Sequence, residues 1–143
     1  MTAMAAFGTT LGIGDGGGPE TFTTIAQVRT SSGPGLSADT IEVSHHESTG
    51  GWRTFVAGMK DGGEVGLDLL FDPVAATHKD ASGGLLDLLD SGAENNFELT
   101  FSDTASTTWT FAGLVTGFEP TAPYDGELTA SVSIKVTGQP TLA

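Results

Sequence analysis

The alternation of apolar and polar residues predicts a protein built mainly of β-strands. The clearest case is residues 127–136, where one face carries Leu128, Ala130, Val132, Ile134 and Val136. Successive side chains of a strand point to opposite faces, so this pattern is that of a strand with one buried face. Residues 64–72 alternate in the same way, with Val65, Leu67, Leu69 and Phe71 together. We expect both apolar faces to line the core.

Further strands and one helix complete the predicted fold. The other strands are expected at 7–13, 22–30, 39–45, 96–102 and 107–119. Leu85, Leu86, Leu88 and Leu89 fall on one stripe at helical spacing, which predicts a helix near 80–91. Asp80 or Ser82 is expected to cap its start and Gly92 its end. The expected fold is an antiparallel β-sandwich or barrel of about seven strands with one packed α-helix, as a single domain over residues 1–143.

The segment "HHESTGGWRTFVAGMKDGGE", residues 45–64, does not fit a tight turn. It separates the strands at 39–45 and 64–72, whereas a hairpin loop usually has about 2–5 residues. Its large apolar side chains sit among flexible glycines, and they are Trp52, Phe55, Val56 and Met59. Exposed apolar groups on a flexible loop lower solubility unless another surface covers them. That surface is either the loop's own domain or another copy of the chain.

Charge and composition exclude several classes of protein. Five Lys and Arg against 18 Asp and Glu give a formal net charge of −13, so most of the surface repels nucleic acid. The chain has no cysteine, which removes disulfides and thiolate metal sites. No apolar run approaches the ~20 residues of a membrane span, and the N-terminus does not read as a signal peptide.

No set of residues predicts catalysis or a metal site. His45 and His46 are adjacent, so on a strand they would point to opposite faces, and His78 is remote in sequence. Neither a Gly-x-Ser-x-Gly elbow nor a phosphate-binding loop is present. We therefore expect a protein that is not an enzyme and that uses neither a cofactor nor a metal.

The order of these parts resembles the major tail tube proteins of phages with long non-contractile tails. The resemblance rests on the long loop, the strand "EVGLDLLFDP", the helix "GGLLDLLDSG" and the pair "FELTFSDTASTTWTFAGLVTGFEP". The most family-like piece is the end, "DGELTASVSIKVTGQPTLA", with Gly138 and Pro140 one residue apart. The likeness covers residues 7–141.

The resemblance implies a subunit that forms hexameric rings, which stack into a hollow tube through which DNA passes to the host. It implies that the long loop contacts the next ring through Trp52, Arg53, Phe55, Val56, Met59 and Lys60. It also implies that the strands flanking the loop line the bore. Ile41 and Val43 would then point into the sandwich, and Glu42, Glu64 and Asp68 would face the lumen, with Lys135 as the nearest cation.

The implied partners and location follow from the same resemblance. The chain would bind copies of itself, a tape-measure protein and tail terminator or tip proteins, in a virion tail assembled in the host cytoplasm. DNA would pass without specific binding. Two alternatives stay open: a type VI secretion-like tube protein, and a carbohydrate-binding sandwich that presents Trp52 and Trp109 as a platform.

Overall fold

A computed structural model describes residues 4–14, 20–78 and 84–142. These residues form nine strands, a short 3-10 turn at Thr49–Gly51 and one α-helix. The strands are β1 Thr10–Gly14, β2 Phe22–Thr24, β3 Val28–Ser32, β4 Ser37–Glu42, β5 Phe55–Asp61, β6 Glu64–Leu70, β7 Asn95–Thr100, β8 Thr108–Thr121 and β9 Thr129–Leu142; the helix is α1 Leu85–Ser91. The predicted fold class, mainly β with one helix, is confirmed.

Strands β6 and β9 lie side by side and supply much of the core, as their alternation predicts. They pair antiparallel, with Glu64 opposite Lys135 and Leu70 opposite Thr129. The buried side chains on these strands are Val65, Leu67, Leu69, Ala130, Val132, Ile134 and Val136. The rest of the core comes mainly from β1, β7, β8 and α1. Leu128, predicted for the same face, lies in the turn before β9 and is more than a third exposed.

Seven strands form one antiparallel sheet in the order β2-β1-β7-β8-β9-β6-β3. The prediction of a single strand at 22–30 is wrong, because Gln27 has a φ of 58° and the chain turns there. The backbone N–H of Ile25 donates to Leu11 in β1, and the N–H of Leu70 in β6 donates to Gln27. Residues 25–27 therefore join the two edges of the sheet, which curls around its core.

The helix is shorter than predicted but buries the expected stripe. Its N-cap is Gly84, and Asp80 and Ser82, the predicted caps, lie outside the described residues. Gly92 adopts the left-handed conformation after the last turn, and its N–H donates to the carbonyl of Leu88, as the sequence predicts. The helix packs against β8 and buries Leu85 and Leu88 in the common core.

Strands β4 and β5 form a separate two-stranded sheet outside this body. Residues 55–61 belong to β5, so the segment 46–63 is not an irregular loop throughout. The prediction that Ile41 and Val43 point into the core is also wrong, since they are 54% and 43% exposed. Their alternation with polar residues is real, but no second layer formed by the described residues covers either face of this ribbon.

Candidate functional site: the β4–β5 arm

The β4–β5 hairpin, residues 37–61, is called the arm below. All of its residues are exposed except Ser44, Ser48 and Gly58, which are half-buried. Among the other described strands, only β9 makes substantial contact with the arm, and that contact involves β5. An isolated two-stranded hairpin is at best marginally stable in water, so the arm has the character of an element completed by another molecule.

Glycines hold the root of the arm close to the body. Gly63 has a φ of 72°, and a Cβ built there would lie 2.2 Å from the carbonyl oxygen of Gly35. A Cβ at Gly62 would lie 2.5 Å from the side chain of Val136. Since a side chain at either position would collide with its neighbour, the close approach of the arm root to Gly35 and to β9 depends on glycine.

An ion pair also ties the root to the sheet. The carboxylate of Asp61 accepts the N–H of Gly63 at 2.9 Å and the Nζ of Lys135 at 3.0 and 3.2 Å. The hydrogen bond from Gly63, followed by the bond and charge of Lys135, lowers the pKa of Asp61. Lys135, the cation predicted near the lumen, is therefore engaged within the subunit.

The arm tip, residues 43–54, is held by its own hydrogen bonds. The N–H of His45 donates to Oγ of Ser48 at 2.9 Å, and the N–H of Thr54 donates to Oγ of Ser44 at 2.8 Å. The N–H of Val43 donates to the carbonyl of Thr54 at 2.8 Å. These bonds close the ribbon below the tip and present Trp52 on a defined turn.

Apolar side chains project from both faces of the arm. Ile41 lies directly opposite Val56 across the ribbon, and Glu42 lies opposite Phe55. Residues opposite each other share a face, so Val56 and Phe55 lie on different faces. Trp52 is 79% exposed and Met59 83% exposed. A ribbon that exposes apolar groups on two sides is expected to contact other molecules on both.

Two of the predicted arm residues are cations without a partner among the described residues. Arg29 pairs with Glu127 and Lys135 pairs with Asp61, but Arg53 and Lys60 make no such contact in the described part of the chain. In a chain with a net charge of −13, these two exposed cations are available to pair with carboxylates outside the subunit.

Two of the three predicted lumen residues lie on the same face of one strand. Glu64 and Asp68 are exposed on the outer face of β6, four residues apart, which corresponds to roughly 13 Å along a strand. Glu42 lies on the arm instead, on a sheet separate from β6. Glu64 faces Lys135 across the ladder, and Asp68 lies between Thr30 and Ser131.

Sequence reasoning missed two exposed aromatic residues outside the arm. Tyr124, in the turn between β8 and β9, and Phe7, before β1, are almost completely exposed. An aromatic residue inside the turn "PTAPYDG" is the signal that could have revealed Tyr124. Trp109, in contrast, packs against the core with its ring centroid 6.5 Å from that of Phe101, so the two tryptophans do not form a joint platform.

Chemical sites are not seen in the described part of the chain. No three His, Asp or Glu side chains there converge in a way that could hold a metal ion. Likewise, none of the helices described is long and apolar enough to cross a membrane.

Solved structures with a similar fold include chains from phage-like particles and from extracellular contractile injection systems. The chain resembles a chain of the virion of a native gene transfer agent particle, with a TM-score of 0.78, 18% identity and 99% of each chain covered. It resembles a chain of the tail of an empty gene transfer agent particle with C6 symmetry, with a TM-score of 0.70, 21% identity and coverage of 93% of this chain and 95% of that one. For the SPP1 tail tube the TM-score is 0.68 at 13% identity, over 94% of this chain and 75% of that one.

Sequence comparison defines the family. No curated protein matches the chain. The model of the family described as "Lambda phage tail tube protein, TTP" matches residues 11–143. This match covers the curled sheet, the helix and the arm, and it confirms the resemblance seen in the sequence. The chain belongs to the lambda phage tail tube protein family and has the structural role of a phage tail tube protein.

Proposed function

We propose that six copies of this chain form a ring and that the rings stack into the tail tube, with the arm joining one ring to the next. The C6 symmetry of the gene transfer agent tail supports the six-fold ring. The assignment of residues 1–143 to one tail-tube domain, without an enzymatic role, belongs to the same proposal. A type VI-like tube protein is less well supported, because the family match is to phage tail tubes.

The arm is the observation that carries this proposal. It projects apolar side chains from both faces and contacts its own subunit mainly at its root. Trp52, Arg53, Phe55, Val56, Met59 and Lys60 are the residues assigned to the contact between rings. Covering an aromatic side chain buries about 150–250 Å², which stabilises an assembly by several kcal/mol when two aromatics are covered.

The bore is assigned to the acidic outer face of the sheet. Glu64 and Asp68 share that face, and a six-fold ring repeats each carboxylate six times. Together with Glu42 on β4, they would give the wall a negative charge that repels phosphates, so DNA passes without specific binding. The tape-measure and tail terminator or tip proteins are the further partners, and assembly takes place in the host cytoplasm.

Replacing both arm aromatics tests the proposal. The double variant Trp52→Ser and Phe55→Ser is expected to fold normally but to form no tubes, because the arm loses its largest apolar contacts. Electron microscopy and sedimentation measure assembly, and circular dichroism measures folding. The matched control is Phe7→Ser, an exposed aromatic outside the arm, which is expected to leave assembly unchanged. Tubes from the double variant at the wild-type concentration would contradict this role of the arm.

A further inference from the structure

The root of the arm and the β8–β9 turn, residues 122–128, lie at opposite ends of β6. The arm joins the body just before Glu64, at the start of β6, whereas Leu70, at the end of β6, lies opposite Thr129 beside the turn. Thr129 also pairs with Thr121 at the other side of the turn. The two ends are separated by the length of β6, roughly 20 Å at about 3.3 Å per residue.

Copies that stack head to tail place one end of a subunit against the opposite end of the next. The surface that receives the arm tip therefore has to lie at the end of the β8–β9 turn. The β7–β8 connection does not qualify, because Thr108 beside it pairs with Thr100 in the part of β8 farthest from Thr121. It lies at the arm's own end.

The arm tip and the β8–β9 turn carry matching pairs of residues. The tip has an exposed aromatic followed by a cation, Trp52 and Arg53, and the turn has an exposed aromatic followed by an anion, Tyr124 and Asp125. Among the described residues, neither Arg53 nor Asp125 has an ion-pair partner in its own subunit. Asp125 leaves the turn with an uncompensated negative charge, because Arg29 pairs with the other carboxylate of the turn, Glu127.

We propose that Trp52 and Arg53 at the arm tip dock on Tyr124 and Asp125 of a second copy in the neighbouring ring. This inference rests on the proposed function and names the surface that receives the arm. Contact between the two aromatic side chains supplies apolar burial. The pairing of Arg53 with Asp125 favours contact between tip and turn over contact between two tips, because two copies of Arg53 would repel each other.

A charge exchange tests this pairing. Arg53→Glu and Asp125→Arg, made separately, are each expected to raise the critical concentration for tube growth at least about tenfold, as expected for a close charge pair at an interface. The variant that carries both changes is expected to return to within about threefold of wild type. The control Arg53→Glu with Asp90→Arg, a charge reversal at exposed Asp90 of α1, is expected not to be rescued.

A cross-link supplies an independent measurement, because the chain has no cysteine of its own. The double variant Arg53→Cys and Asp125→Cys, assembled above its raised critical concentration, is expected to form a ladder of linked copies with a short bifunctional thiol cross-linker, because an Arg–Asp pair can hold its Cα atoms farther apart than the about 4.4–6.8 Å that a direct disulfide requires. Arg53→Cys with Asp90→Cys is expected to give no ladder. The docking is supported if linked copies form with the cysteine at position 125 but not with the cysteine at position 90.

Different results separate the two proposals. If wild-type tubes form but the charge exchange restores nothing and no ladder appears, the docking is wrong and the proposed function stands. If the wild-type chain forms neither rings nor tubes alone or with virion tail proteins, the proposed function is wrong and the docking falls with it.

Discussion

Replacement of His78 tests how the curled sheet is closed. Its side chain is fully buried. Its Nε2 lies 2.6 Å from the carbonyl oxygen of Ala26, and its Nδ1 accepts the N–H of Asp72 at 3.2 Å. A carbonyl can only accept, so Nε2 carries the proton and the ring is neutral. One side chain thus fastens residues 25–27, which join the two sheet edges, to the segment that follows β6.

The expected cost of His78→Leu follows from these two bonds. Leucine has a similar volume but leaves the carbonyl of Ala26 and the N–H of Asp72 without a partner. An unsatisfied buried group costs about 1–3 kcal/mol, and both bonds are only partly buried. We therefore expect the free energy of unfolding to fall by about 2–4 kcal/mol. His78→Gln, which can still donate to Ala26, is expected to lose less.

Urea unfolding of the unassembled subunit, followed by circular dichroism, measures this loss. The matched control is His46→Leu, which changes an exposed histidine and is expected to alter stability by no more than about 0.5 kcal/mol. A His78→Leu variant as stable as that control would refute the reasoning, because it would show that the two hydrogen bonds contribute nothing to closure.

Three further variants test the arm root, an exposed turn and the bore. Gly63→Ala is expected to lower the melting temperature more than Gly51→Ala, since both glycines have positive φ but only Gly63 meets backbone within 4 Å; equal losses would exclude a role for the collision. The hydroxyl and N–H of Thr107 hold the pKa of Asp103 below its ordinary value of 3.8, so this group stabilises the fold above that value and its contribution is lost as pH falls further. Asp103→Asn should therefore make the free energy of unfolding, measured with urea, fall less steeply as the pH is lowered into the acid range. An unchanged pH dependence would contradict this. Glu64→Lys with Asp68→Lys should slow DNA ejection from assembled tails, more so at low salt, whereas unchanged ejection would remove these residues from the bore.

The strands of the body could be predicted because their environment is simple. β6 and β9 each have one face on the core and one face outward. Because successive side chains point to opposite faces, apolar and polar residues alternate along both strands. The segment at 22–30 has the β-branched residues of a strand throughout, yet it turns at Gln27. That turn depends on where the two sheet edges meet, which a local pattern does not contain.

For the arm, the same kind of alternating pattern led to a wrong prediction. Ile41 and Val43 alternate with polar residues as a core strand would, and the prediction placed them in the core. The pattern indicates that one face of β4 is more apolar than the other, but it does not indicate which molecule covers the apolar face. β5 was missed because Gly58 and the glycines at 50, 51, 62 and 63 suggested a loop. The apolar residues of this segment are the signal on which its proposed role as a contact surface rests.

The core lies wholly outside the arm, which separates the residues that stabilise the subunit from the residues proposed to join copies of it. The buried apolar residues of the core all lie outside residues 37–61, so the body keeps its core whether or not the arm is covered. The two strands of the arm pair only with each other, and no second layer covers them in the described part of the chain, so burial of the arm by another molecule would raise its stability. Under the proposed function, stability and assembly are therefore encoded by different residues, and changes in the arm should alter the critical concentration for assembly before they alter the free energy of unfolding.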